Sequence, residues 1–154
     1  MKKINWIKLI GTFIIVHLAA FIGSLFTNSD TEWYNSIKPG ITPPDYVFPI
    51  VWTILFIFIW IAFYLACIYV KEKDRNKVRL VFLVNLILNA LWSYLFFGLQ
   101  NPLFAFYELI LLWVSIISIL VVTYKINKTS FYLIIPYLLW VSFAGVLNYL
   151  IAFG

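Results

Sequence analysis

The most constraining feature of this sequence is a set of long segments in which almost every consecutive residue is apolar. Residues 51–70 and 104–122 are two examples. A strand of a membrane β-barrel would instead alternate apolar and polar residues over about 10 positions. Because lipid offers the backbone no hydrogen-bond partners, a chain within a bilayer must form helices or a closed barrel. The unbroken apolar segments therefore predict membrane-spanning helices.

Five segments are long enough to cross a bilayer, which takes about 20 apolar residues in a helix. They are residues 9–26, 47–70, 80–99, 102–124 and 131–153. The composition agrees, because 64% of the 154 residues are hydrophobic and 11% are charged, whereas soluble domains have roughly 25% charged residues. The sequence predicts an all-α membrane protein, a single domain of residues 1–154. It is a five-transmembrane-helix bundle with a long structured loop between the first and second helices.

The basic residues lie beside the predicted spans and on one side of the membrane. They are Lys2, Lys3 and Lys8, then Lys71, Lys73, Arg75, Lys77 and Arg79, and finally Lys125 and Lys128. The other side carries Lys38 with Asp30, Glu32 and Asp45. The positive-inside rule then predicts a multi-pass protein with its N-terminus inside and its C-terminus outside. The membrane itself is expected to be a bacterial cytoplasmic membrane. This distribution argues against a nucleic-acid partner, which would require a basic soluble face.

The connection between the first and second spans, residues 27–46, is much longer than the others. It contains Trp33-Tyr34, Lys38-Pro39 and Thr42-Pro43-Pro44. Long ordered loops in compact domains usually have a function, and prolines restrict the backbone. The loop is interpreted either as a lid over the bundle or as an aromatic belt at the membrane interface.

Several polar residues fall at a similar depth below the outer surface when the helix rise of about 1.5 Å per residue is counted. They are Asn89, Glu108 and Asn148, with Asn85 one turn deeper on the face of Asn89. One interpretation is an aromatic pocket that opens outward and offers a few polar contacts. The other is interhelical hydrogen bonding. Glu108 is either a buried polar group or an acid that reaches water at the interface.

The sequence contains no recognisable catalytic or metal-binding motif, so no catalytic residue and no metal site are predicted. One cysteine, Cys67, and one histidine, His17, cannot supply a metal-ligand set.

Spaced motifs along the whole chain resemble the TspO/MBR family, the tryptophan-rich sensory proteins related to the translocator protein or peripheral-type benzodiazepine receptor. In chain order they are Trp33-Tyr34, Lys38-Pro39, Thr42-Pro43-Pro44, Phe48, Trp52, Asn85 to Trp92, Phe96-Phe97-Gly98, Pro136-Tyr137, Trp140, Phe143-Ala144 and Leu147-Asn148-Tyr149. Ile41 departs from the pattern, because the family commonly has tryptophan there. The resemblance implies a five-helix bundle, usually a homodimer, that binds porphyrins such as protoporphyrin IX as ligands and requires no cofactor.

The resemblance also implies the site residues. Trp52 and Trp140 match the tryptophans that line the ligand pocket. Other pocket positions are matched by Tyr34, Pro43, Asn89, Phe97 and Ala144. Polar groups expected at or near the pocket are Asn85, Glu108, Asn148 and Lys38. No Arg or Lys follows Tyr149, so cholesterol binding is not predicted.

Three functions are compatible with these expectations. The first is a membrane receptor or carrier for a small hydrophobic ligand, a porphyrin. The second is light- or oxygen-dependent porphyrin degradation that requires the tryptophans. The third is a regulatory scaffold for another membrane protein.

Overall fold

The computed structural model describes residues 3–154, which are helical and contain no β-strand. The helices are α1 (Trp6–Ser24), α2 (Glu32–Ile37), α3 (Val47–Tyr69), α4 (Arg75–Ser93), α5 (Pro102–Ile126) and α6 (Lys128–Phe153). A short 3₁₀ turn, Glu72–Asp74, precedes α4, and a π-helical turn, Tyr94–Gly98, continues it.

Five of these elements are long and apolar enough to cross a membrane: α1, α3, α4 with its π turn, α5 and α6. The predicted fold class is therefore confirmed. The largest difference in helix bounds is at α4, which begins at Arg75 rather than at residue 80. Hydropathy marks where a helix enters apolar surroundings, whereas the backbone hydrogen bonds continue into the polar segment beyond.

Asparagine side chains cap the N-termini of two of the membrane helices. The Phe104 backbone N–H donates to Asn101 Oδ1 over 3.1 Å, and Pro102 occupies the first turn of α5. The Ser130 backbone N–H donates to Asn127 Oδ1 over 2.9 Å at the start of α6. Both arrangements satisfy N–H groups that have no partner within the helix. They allow α5 and α6 to follow their predecessors after very short connections.

The five long helices form a ring in the order α1, α3, α6, α5, α4, each packing against its two neighbours. The loop that contains α2 lies at one end of the ring, called here the loop end. The opposite end, which carries Lys8, Arg75, Arg79, Lys125 and Lys128, is called the basic end.

Near the basic end the interior of the bundle is solid. The rings of Phe63 on α3 and Phe82 on α4 stack with centroids 4.5 Å apart. Ile59, Val78 and Ile119 have no exposed surface. Hydrogen bonds also join the helices there, since Lys8 Nζ donates to the Cys67 carbonyl oxygen over 2.9 Å. The large exposed apolar side chains lie on the outer faces of the bundle, as expected for helices that face lipid.

Candidate ligand-binding site

A cavity of about 380 Å³ lies at the loop end between α1, α3, α4 and α6. Its volume falls within the usual range of small-molecule sites, about 300–1,000 Å³. Among the described residues, none from α5 lines it. The aromatic lining residues are Tyr34, Phe48, Trp52, Phe56, Trp92, Phe96, Phe97 and Trp140. The polar ones are Ser24, Thr27, Ser29, Asp45, Asn89, Ser93 and Asn148.

Aromatic rings of α3, α4 with its π turn, and α6 form the walls of the cavity. Trp52 of α3 packs against Phe56, with ring centroids 5.6 Å apart. Trp140 of α6 meets Phe48 of α3 edge to face at 5.8 Å. On the α4 side, Trp92 stacks on Phe96 at 5.0 Å. These separations are typical of favourable aromatic pairs, so the walls hold their shape through ring contacts.

The π-helical turn that follows α4 determines which of its aromatic residues face the cavity. The Leu99 N–H donates to the Tyr94 carbonyl oxygen over 2.8 Å, five residues back rather than four. In a regular α-helix, residues 92 and 97 would point about 140° apart, because each residue turns about 100°. Across the π turn, Trp92, Phe96 and Phe97 all line the cavity. Such turns occur frequently at functional sites.

The loop closes over the cavity through α2. Trp33 and Tyr34 both pack edge-on against Phe96, with centroids 5.7 and 6.2 Å away. Tyr34 also contacts Phe97 and is only 5% exposed. Burial raises the pKa of the Tyr34 phenol, and the nearby Asp45 carboxylate raises it further. The arrangement agrees with the lid interpretation, because Ser29, Tyr34 and Asp45 of the loop all line the cavity.

Asn148 joins three helices at the cavity wall. Trp92 Nε1 donates to Asn148 Oδ1 over 3.0 Å, and Asn148 Nδ2 donates to the Pro102 carbonyl oxygen over 2.8 Å. Asn148 is almost fully buried. Both of its polar atoms are occupied by the protein, so its main effect on the site is to orient the indole of Trp92.

A second chain of hydrogen bonds begins at Asn89. Its Nδ2 donates to the Tyr137 hydroxyl over 3.0 Å, and that hydroxyl donates to Asn85 Oδ1 over 3.3 Å. Asn85 Nδ2 in turn donates to Ser115 Oγ over 2.8 Å. Tyr137 engages one N–H of the Asn89 amide, so the carbonyl oxygen and the second N–H of that amide are left for a ligand. The two interpretations of the asparagines thus both apply: they join helices, and two of them line a cavity.

Most of the residues expected at the pocket come together there. Those that line the cavity are Tyr34, Trp52, Asn89, Phe97, Trp140, Ala144 and Asn148. Lys38 stands at the rim, where its Nζ lies 3.6 Å from Asp45 Oδ1. Pro43 belongs to the covering loop but does not line the cavity. Asn85 lies two hydrogen bonds behind the wall, because Tyr137 stands between it and Asn89.

Glu108 does not belong to the cavity. It is a residue of α5, which packs behind α4 and α6. Its side chain is only 6% exposed, and neither carboxylate oxygen has a hydrogen-bond partner within residues 3–154. The expectation of a pocket group is therefore corrected, and so is the alternative of an acid that reaches water. A residue's depth along its helix does not reveal which side of a neighbouring helix that residue faces.

Sequence reasoning missed the contribution of α1 to the cavity. Ala20, Gly23 and Ser24 line it from one face of α1, and Thr27 lines it just beyond the end of that helix. A Cβ added at Gly23 would lie 3.7 Å from Ala90 Cα, so α1 and α4 approach closely here. A stripe of small residues was the available signal, since such stripes often mark close helix contacts in membranes.

The fold and the site define an integral, multi-pass membrane protein with an enclosed aromatic cavity at one end of a five-helix ring. Residues 12–153 match the model of the TspO/MBR family, and the chain belongs to that family. The tryptophan-rich protein TspO of Archaeoglobus fulgidus is 40% identical over 149 residues, 96% of each chain. That of Chlorobaculum tepidum is 40% identical over 136 residues, 85% of each. The human translocator protein is 29% identical over 151 residues, 94% of this chain and 88% of its own.

Proposed function

We propose that this protein is a membrane receptor or carrier that binds a porphyrin in the cavity at the loop end. The observation that carries the proposal is the placement of Trp52 and Trp140, on the neighbouring helices α3 and α6, in the lining of one cavity. Flat aromatic ligands gain from stacked and edge-to-face contacts with such rings, about 0.5–1.5 kcal/mol per pair beyond the burial of area. The porphyrin itself comes from the family resemblance.

The polar groups of the site suit an apolar ring with few polar substituents. The Asn89 amide lines the cavity, and Lys38 carries a positive charge at the rim. Lys38 is partly exposed, so a contact between it and a propionate should contribute about 1 kcal/mol or less. Burial of the macrocycle must therefore supply most of the affinity.

The proposal includes an orientation. The basic end carries Arg75, Arg79, Lys125 and Lys128, which supports a cytoplasmic location for that end under the positive-inside rule. The cavity then lies in the outer half of the membrane and the C-terminus lies outside. The homodimer that the resemblance implies stays a prediction.

The test is a titration of the purified protein with protoporphyrin IX, followed by quenching of tryptophan fluorescence and by the Soret band. Trp140→Ala should abolish binding. Trp113→Ala is the matched control, because Trp113 is an exposed tryptophan of α5 that does not line the cavity. Equal losses of affinity in the two variants would place the ligand elsewhere.

The same samples distinguish binding from degradation. Porphyrin that is recovered unchanged after illumination in air indicates a receptor or carrier. Loss of porphyrin that depends on both Trp52 and Trp140 would favour the degrading activity.

A further inference from the structure

The rim of the cavity carries one of the two ion pairs formed among residues 3–154. Lys38 and Asp45 belong to the covering loop and are partly exposed, with 33% and 46% of their side-chain surfaces accessible. Lys38 Nζ also lies 5.9 Å from the centre of the Tyr34 ring, over its face. The cation is thus held between a carboxylate and a buried aromatic ring.

The two partners are not equivalent with respect to the cavity. Asp45 lines it, whereas Lys38 does not. Asp45 is therefore the charged group in the lining, and it is negative, whereas the cation at the rim, Lys38, is already paired with it. An anionic substituent must displace Asp45 from Lys38 or remain next to the Asp45 carboxylate.

We propose that Asp45 is a specificity-determining residue that selects ligands by the number of carboxylates they carry at the cavity mouth. The proposal rests on the proposed function and deepens it. The ion pair is neutral as a whole, so it offers no net attraction to an anion. Each carboxylate added to the edge of the tetrapyrrole ring is repelled by the Asp45 carboxylate that lines the cavity. The site thereby favours tetrapyrroles with the fewest carboxylates.

The expected change in Kd is moderate because the rim of the cavity is exposed to solvent. A partly exposed charge pair contributes about 1 kcal/mol or less, which corresponds to about a fivefold change in Kd. Interactions of this kind weaken as added salt shortens the screening length to about 3 Å at 1 M. Selectivity that arises from Asp45 should therefore fade at high salt.

The test compares three porphyrins of different charge on the purified full-length protein. They are protoporphyrin IX dimethyl ester, protoporphyrin IX with two carboxylates, and coproporphyrin with four. At low salt the wild type should bind them in that order, the ester most tightly. Asp45→Asn should tighten binding of protoporphyrin IX about fivefold and of coproporphyrin more, and leave the ester unchanged.

Asp30→Asn is the matched control. It removes one negative charge from the same loop, but Asp30 does not line the cavity. The proposal is overturned if the two variants shift the three affinities equally, or if Asp45→Asn shifts none of them. A different result would contradict the proposed function instead. If the uncharged ester does not bind the wild type, the cavity is not a porphyrin site.

Discussion

The two halves of the bundle are built from the same helices and differ in what fills the space between them. At the basic end, α3 and α4 meet directly through the stacked rings of Phe63 and Phe82. At the loop end, a cavity separates these helices, and Trp52 and Trp92 stand on its opposite walls. One half is a packed apolar core, and the other is an enclosed site.

The comparison shows what keeps a cavity open in a membrane protein. Lipid is as apolar as the core, so no hydrophobic force between helices drives the closure of the bundle. Hydrogen bonds of Asn89 and Asn148 instead fix the helix spacing at the cavity wall. The π turn and the docked loop complete the enclosure. We therefore expect substitutions in the two halves to separate stability from ligand affinity.

The largest effect on stability should come from the packed half. Phe82→Ala removes a fully buried ring and should lower the free energy of unfolding by about 3 kcal/mol, near the lower end for buried phenylalanine because lipid also surrounds the unfolded helices. The affinity of the folded fraction for protoporphyrin IX should be unchanged. Equilibrium unfolding in mixed micelles measures the first quantity and titration the second.

The control for this prediction is Leu80→Ala, which truncates an exposed residue of the same helix and should have little effect. A large loss of ligand affinity in Phe82→Ala without unfolding would contradict the separation between the halves.

A residue whose hydrogen bonds hold the cavity wall together should affect both the free energy of unfolding and the affinity for the ligand. Asn148→Leu leaves Trp92 Nε1 without its acceptor, which should lower the free energy of unfolding by about 1–2 kcal/mol. It also frees the indole ring, so porphyrin affinity should fall. Tyr149→Leu, at an exposed neighbouring position, serves as the control. Unfolding and titration of both variants check the prediction, and unchanged affinity in Asn148→Leu would show that the orientation of Trp92 is unimportant.

The smallest effect should come from the rim. Lys38→Ala removes a partly exposed cation, so the Kd for protoporphyrin IX should rise by no more than about fivefold, with no measurable change in stability. Titrations at low and high salt check this prediction. A loss as large as that of Trp140→Ala would mean that electrostatics rather than ring burial dominates binding.

Much of the fold and part of the site follow from sequence patterns. Apolar segments predict the five spanning helices because hydropathy directly reflects the lipid environment. Trp52 and Trp140 were identified through a family pattern, and the structure brings them to one cavity. Glu108 is predicted near the cavity but does not line it, because depth along a helix does not determine which neighbouring helices a residue faces. The position of Phe97 depends on a π turn, a change of helical register that hydrophobic periodicity does not predict.

The central claim is that the ligand occupies the space between α1, α3, α4 and α6, and filling that space tests it most directly. Ala144 on α6 lines the cavity, whereas Val146 on the same helix is exposed on the outside of the bundle. Ala144→Phe should abolish protoporphyrin IX binding with an unchanged melting temperature, and Val146→Phe should bind as the wild type does. Full affinity in a folded Ala144→Phe variant would contradict the account.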